Sequence, residues 1–166
     1  MSTNEADLPF EFIYEKKMIR RAPATDAQIA VVEARFGPLP ADYKHFLQSV
    51  NGGAPAALKH GPAPDPTDDP RECAVVHPEH DAFRVECFHG LGGEHYEVDD
   101  MSKWPSEDLG REVVAIAGDG FGDQLIFLAP GDPAIYWWIH DERVPPKRMA
   151  SSFTELLRLI RPLFEE

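Results

Sequence analysis

Val113-Val-Ala-Ile-Ala-Gly-Asp-Gly-Phe-Gly-Asp-Gln-Leu-Ile-Phe-Leu-Ala-Pro-Gly-Asp-Pro-Ala-Ile-Tyr-Trp-Trp-Ile-His-Asp-Glu142 is the stretch whose reading decides the fold. Its three apolar runs are separated by clusters of Gly, Asp and Pro, a pattern that predicts consecutive antiparallel strands. In the first cluster, Gly118 to Asp123, the glycines can take positive φ and the aspartates can bond their own backbone in a tight turn. Pro130, Gly131, Asp132 and Pro133 make the second turn, where a residue without an N–H does no harm to a ladder. The reading is a three-strand meander in the middle of a single sheet.

Strand alternation assigns the faces of that meander. Ile135, Trp137 and Ile139 point one way, and Tyr136, Trp138 and His140 the other. In the middle strand Gln124, Ile126 and Leu128 oppose Leu125, Phe127 and Ala129. Both faces are largely apolar, unlike a sheet with one wet side. Helices, a long loop or a partner must therefore cover the second face.

The 166 residues suit one domain, and 43% apolar composition argues against wholesale disorder. Net charge is −13 and is unevenly placed: residues 60–145 hold 19 Asp or Glu against 5 Lys or Arg. Such a surface excludes nucleic acid and anionic membrane as partners, since both bind basic proteins by releasing counterions. It suits a basic protein partner, whose encounter it would accelerate; acidity that serves only solubility is the plainer reading. No run approaches the ~20 apolar residues of a membrane span, and the first residues lack a basic then apolar leader. A cytoplasmic location and reduced thiols at Cys73 and Cys87 follow as expectations.

Outward from the meander, Thr25-Asp-Ala-Gln28 has the form of a capping box, with Ile29, Val32 and Phe36 at helical spacing and Gly37-Pro38 as the stop. A second helix begins at Pro40 and carries Tyr43, Phe46, Leu47 and Val50 on one stripe, before Asn51-Gly52-Gly53. Residues 1–24 read as an N-terminal arm, an edge strand or a solvated lead-in. Residues 54–82, rich in Pro and Asp, read as a long loop, mobile or laid over the sheet. Phe83 to Phe88 resumes strand character, and 96–109 reads as a short irregular helix broken by Pro105. Ser152-Phe-Thr-Glu155 is a second capping box, opening a helix with Phe153, Leu156, Leu157, Ile160 and Phe164. The predicted architecture is α+β. One sheet, antiparallel or mixed, carries two N-terminal helices and one C-terminal helix, all within a single domain over 25–166.

Two groups of these residues form a familiar pattern. Leu39-Pro-Ala-Asp-Tyr-Lys-His-Phe-Leu47 with Asn51-Gly52-Gly53, then Ile116 to Asp123 and Ile135 to Glu142, resemble the signature of the SUKH immunity-protein superfamily in the expected order over about residues 25–165. The insert at 54–82 is longer than the link of that pattern. The resemblance implies a non-enzymatic α+β binding module, often encoded beside a secreted toxin that it neutralises, commonly a nuclease or deaminase. Fungal relatives imply an alternative, a regulatory scaffold without a toxin.

The chemistry-bearing residues were weighed against enzyme readings. The sequence has no nucleophile elbow, phosphate loop or dinucleotide fingerprint. Gly118 to Asp123 lacks the bidentate Glu of a calcium loop and is best read as a turn. His140-Asp141-Glu142 has the groups of a base and its orienter but no evident acid or nucleophile. Cys73, His77, His80, Cys87 and His89 offer zinc-ligand types, the basis of a metal-dependent hydrolase reading, but at no common zinc spacing. We therefore expect no catalytic residue, metal or cofactor. Trp104, Trp137 and Trp138 read as core, except that one of the adjacent pair must turn away and can anchor a partner. The expected partner surface for a basic toxin domain is Asp119, Asp123, Trp138, His140, Asp141 and Glu142, with Asp99 and Asp100 at its rim. The sequence does not fix the oligomeric state.

Overall fold

The capping box at Thr25 forms in full: the Thr25 hydroxyl accepts from Gln28 N–H at 3.1 Å and the Gln28 side chain accepts from Thr25 N–H at 2.9 Å. In the computed structural model, which describes residues 10–13, 20–57 and 71–162, this cap opens α1 (Asp26–Phe36). The other elements are β1 (Glu11–Ile13), α2 (Ala41–Ser49), β2 (Ala54–Ala57), β3 (Arg71–Val75), β4 (Phe83–Val85), β5 (Cys87–Phe88) and α3 (Val98–Leu109). They continue with β6 (Val114–Gly118), β7 (Gln124–Phe127), β8 (Ile135–Trp138), β9 (Lys147–Ala150), α4 (Phe153–Leu159) and β10 (Ile160–Pro162). None of the described helices is long and apolar enough to cross a membrane.

The fold is α+β, as read, but with two sheets among the described residues where one was expected. The meander β6-β7-β8 is the middle of an antiparallel sheet ordered β5-β6-β7-β8-β9. The second sheet is ordered β1-β2-β3-β10, with β4 also paired to β3. Much of it comes from residues 54–82, where Ala-Pro-Ala-Ala and a strand carrying Arg71 and Glu72 lack an apolar alternation. The two sheets meet at Glu86, between β4 and β5, where Glu86 N–H bonds Gly118 O and Phe88 exchanges backbone bonds with Gly53.

A second correction concerns the helices, four rather than three among the described residues. α3 runs unbroken through Pro105, which lacks the N–H of one helical bond. Packing and side-chain bonds hold it: Ser102 Oγ accepts from Ala115 N–H at 2.8 Å and Ser106 Oγ from Val113 N–H at 3.1 Å. A left-handed Gly110 ends it. α4 starts at Ser152 as read but stops at Leu159, and the chain turns into β10 against β3. Phe164 lies outside the described residues.

Each face of the meander has its own cover. Leu125, Phe127 and Ile135 join the main core with Val32, Tyr43, Phe46, Leu47, Phe88 and Phe153, and Trp137 packs against it. Ile126 and Trp138 face the other way into a smaller cluster with Val113 and Ala115, closed by Met101 and Leu109 of α3. A bulge at Ile116 lets Ile116 and Ala117 both serve the main core. The described part of 1–24 is tied in: Phe10 and Ala24 are core, and buried Arg21 pairs with Glu97 at 3.1 Å.

Candidate partner-binding site

The turn of 118–123 has the built form its composition implies. Asp119 Oδ1 accepts from Phe121 N–H at 2.8 Å and Asp123 N–H at 3.1 Å, and Gly120 and Gly122 have φ of 84° and 119°. A Cβ on Gly122 would lie 2.9 Å from the His140 ring, so glycine there lets the turn close on the end of β8. The loop leaves Phe121 at 76% exposure.

Asp123 is the polar centre of this end of the sheet. Its Oδ1 accepts from His140 N–H at 3.0 Å and meets His140 Nδ1 at 2.5 Å, while Oδ2 accepts from Trp137 Nε1–H at 2.9 Å. Burial works to raise the Asp123 pKa, but the bonds from His140 and Trp137 outweigh it, and the carboxyl ends below its ordinary value. His140 shifts upward, chiefly through its bond to Asp123 and against a smaller opposing effect of burial. Each partner thus favours the charged form of the other.

The other expected residues scatter around this centre. Asp141 and Glu142 are exposed at the strand end. Trp138 is 1% exposed, with its indole donating to Asp108 Oδ2 at 2.8 Å, so it is a core residue of the second face and not an outward anchor. The reason is α3: with a helix over that face, the tryptophan pointing there is covered. Asp99 pairs with Arg35 at 3.3 Å and Asp100 with Lys103 at 3.2 Å. The exposed tryptophan is Trp104 of α3, at 52%, with its ring edge-on to Trp138 (5.4 Å) and His140 (5.3 Å). The sequence reading assigns Trp104 to the core, and the structure turns it outward. Its setting among Asp100, Glu107 and Asp108, each three or four residues away along the helix, is the sign of an outward face.

The two histidine sites differ in their surroundings. Among the described residues no hydroxyl or thiol hydrogen-bonds to His140. His89 stands 4.0 Å from Cys87 Sγ and 2.6 Å from Gln124 Oε1, a thiol–imidazole–amide row. But both groups are buried. Desolvation pushes the Cys87 thiol up to about 12 and His89 down to about 4, so burial favours the neutral form of both.

The zinc-type set does not assemble. Among the described residues no three of the five bring their ligand atoms within 4.8 Å of one another: Cys73 is buried in β3, His77 and His80 stack on each other at 4.6 Å, and Cys87 Sγ lies 4.0 Å from His89. Among the described residues the group spaced for a cation is Asp123, His140 and Asp141, with ligand atoms within 4.8 Å. There the Nδ1 of His140 is engaged by Asp123.

Residues 23–159 match the model of the SMI1 / KNR4 family (SUKH-1). The chain belongs to that family. No curated protein and no solved structure matches it. Two polar residues of its Leu39–Gly53 segment are scaffold. Asp42 Oδ2 accepts from the N–H and hydroxyl of Thr154, each at 2.9 Å, and so joins α2 to the start of α4. Asn51, left-handed at φ 58°, donates to Ala22 O and Leu91 O and accepts from Leu91 N–H. What distinguishes one SUKH-1 domain from another must then be sought on its surface.

Proposed function

We propose that this SUKH-1 domain is a non-enzymatic binding module of the immunity type, which neutralises a basic toxin domain, a nuclease or deaminase, by covering it in the cytoplasm. The observation that carries the reading is the open end of the meander: exposed Phe121 and Trp104 beside Asp119, Asp141 and Glu142, in a region of strong acidic excess. Aromatic side chains ringed by charge are the composition of interface hot spots, and the acidic field would steer a basic partner.

The experiment is reconstitution with the toxin domain encoded next to this gene. The reading expects a stoichiometric complex by light scattering and loss of toxin activity on mixing. If the neighbouring product is inhibited by a different chain and forms no complex with this one, the toxin reading fails and the regulatory scaffold takes its place.

A further inference from the structure

α3 has one face in the protein and one in water. Val98, Ser102 and Pro105 are buried, and Met101 and Leu109 pack on the second face of the meander. On the other side Asp100, Lys103, Trp104, Glu107, Asp108 and Arg111 are exposed. Only Trp104 among them is apolar, and a half-exposed indole leaves unfavourable apolar surface in water. Edge contacts with Trp138 and His140 brace the ring, which lowers the entropy lost when something docks on it.

The charges around that ring select what docks. Asp100 and Asp108 lie one turn to either side of Trp104, Glu107 lies at i+3, and Asp141 and Glu142 follow the contacting His140. Lys103, Arg111 and Arg143 are fewer, and Lys103 is matched by Asp100. The charge of His140 is matched by Asp123. An apolar partner would have to strip water from these carboxylates; a cation would not leave them unpaired. The same sheet end already shows such a contact, with Lys147 Nζ 5.7 Å from the centre of the Trp137 ring. Among the described residues no cation lies over Trp104.

We propose that Trp104 is the platform for an arginine of the protein partner: the guanidinium stacks on the indole and directs its fork to the carboxylates of Asp108 and Asp141–Glu142. Arginine fits better than lysine because its planar group can stack and bond two oxygens at once. Asp108 is held in place for this by the Trp138 indole on its Oδ2. The inference rests on the reading above that the partner is a basic protein.

The test uses the whole chain, hexa-arginine and hexa-lysine peptides, and the three tryptophan indole N–H signals in nitrogen-edited NMR. Hexa-arginine should move the Trp104 signal furthest and bind about two- to fivefold tighter than hexa-lysine, the gain of an exposed cation–π contact. W104L keeps apolar bulk without a π-face. It should remove that preference and leave hexa-lysine affinity unchanged; W104F, which keeps a ring, should retain part of it. Equal affinity for the two peptides, or a W104L protein that is folded and keeps the arginine preference, would overturn the proposal. Arginine selectivity at Trp104 without a toxin complex would leave this inference standing and sink the toxin reading. A toxin complex indifferent to W104L would do the reverse.

Discussion

Consecutive residues at the start of β7 each hold a histidine. Gln124 holds His89 at 2.6 Å on the β5 side, and Asp123 holds His140 at 2.5 Å on the β8 side. The bonds are alike in length, yet the outcomes are opposite. His89 is fully buried, partnered by an amide and a thiol, and stays neutral well below the ordinary range. His140 lies at the rim, partnered by a carboxylate, and is driven toward its charged form. The difference teaches that a polar side chain in this fold is scaffold or surface according to what covers it, not according to its type. On the covered side, polar groups lock strands and loops together; on the open side, the same chemistry meets solvent.

The comparison breaks most easily on its buried side. Phe46 lies within ring contact of Phe12, Tyr43, Phe88 and Phe153, so Phe46→Ala should cost about 3–5 kcal/mol in denaturant unfolding while leaving partner affinity intact. An unchanged midpoint would mean this ring is not core.

His89 should give the next largest effect. Its folded pKa, about 4, is below the ordinary 6.5, so the unfolded chain takes the proton first as pH falls. The stability it contributes is present above pH 6.5 and is lost progressively toward pH 4, on the order of 3 kcal/mol. His89→Gln should flatten that part of the stability–pH curve by comparison with wild type. Parallel curves for the two proteins would contradict the burial argument.

The open side answers with a titration. His140 is raised, so its pairing energy is present below its ordinary pKa and lost as pH climbs through the raised value; Asp123 is lowered, so its share is lost as pH falls through the lowered value. Asp123→Asn should bring the His140 pKa back toward 6.5, as followed by its ring proton shifts. A His140 pKa that stays raised would show that Asp123 is not its cause.

Much of this division can be read in the sequence, and its failures have physical causes. The meander, its two apolar faces and the stripes of α1 and α2 show because periodicity records burial. The second sheet does not show: β2 contains Pro55, β3 opens with Arg71-Glu72, and β10 is only three residues long and directly follows a helix. Their strand state is imposed by pairing across the fold rather than by local pattern. Pro105 makes α3 read as a short, broken helix, so its packing across the second face is not legible from sequence. That reversed the tryptophans: Trp138 was assigned outward and Trp104 inward. The turn carrying Asp123 is legible, but the binding of Trp137 and His140 by that carboxylate depends on register that no single segment records.

The central claim is that the open end of the meander receives a basic partner. Its most direct measurement is the kinetics of binding the neighbouring toxin domain to wild type and to D141N/E142Q over a salt series. These exposed carboxylates should act on encounter: the double variant should slow association several-fold at low salt, with the difference vanishing at high salt and dissociation little changed. Association and dissociation equal to wild type at every salt would contradict the claim, and Asp141 and Glu142 would be a solvated strand end.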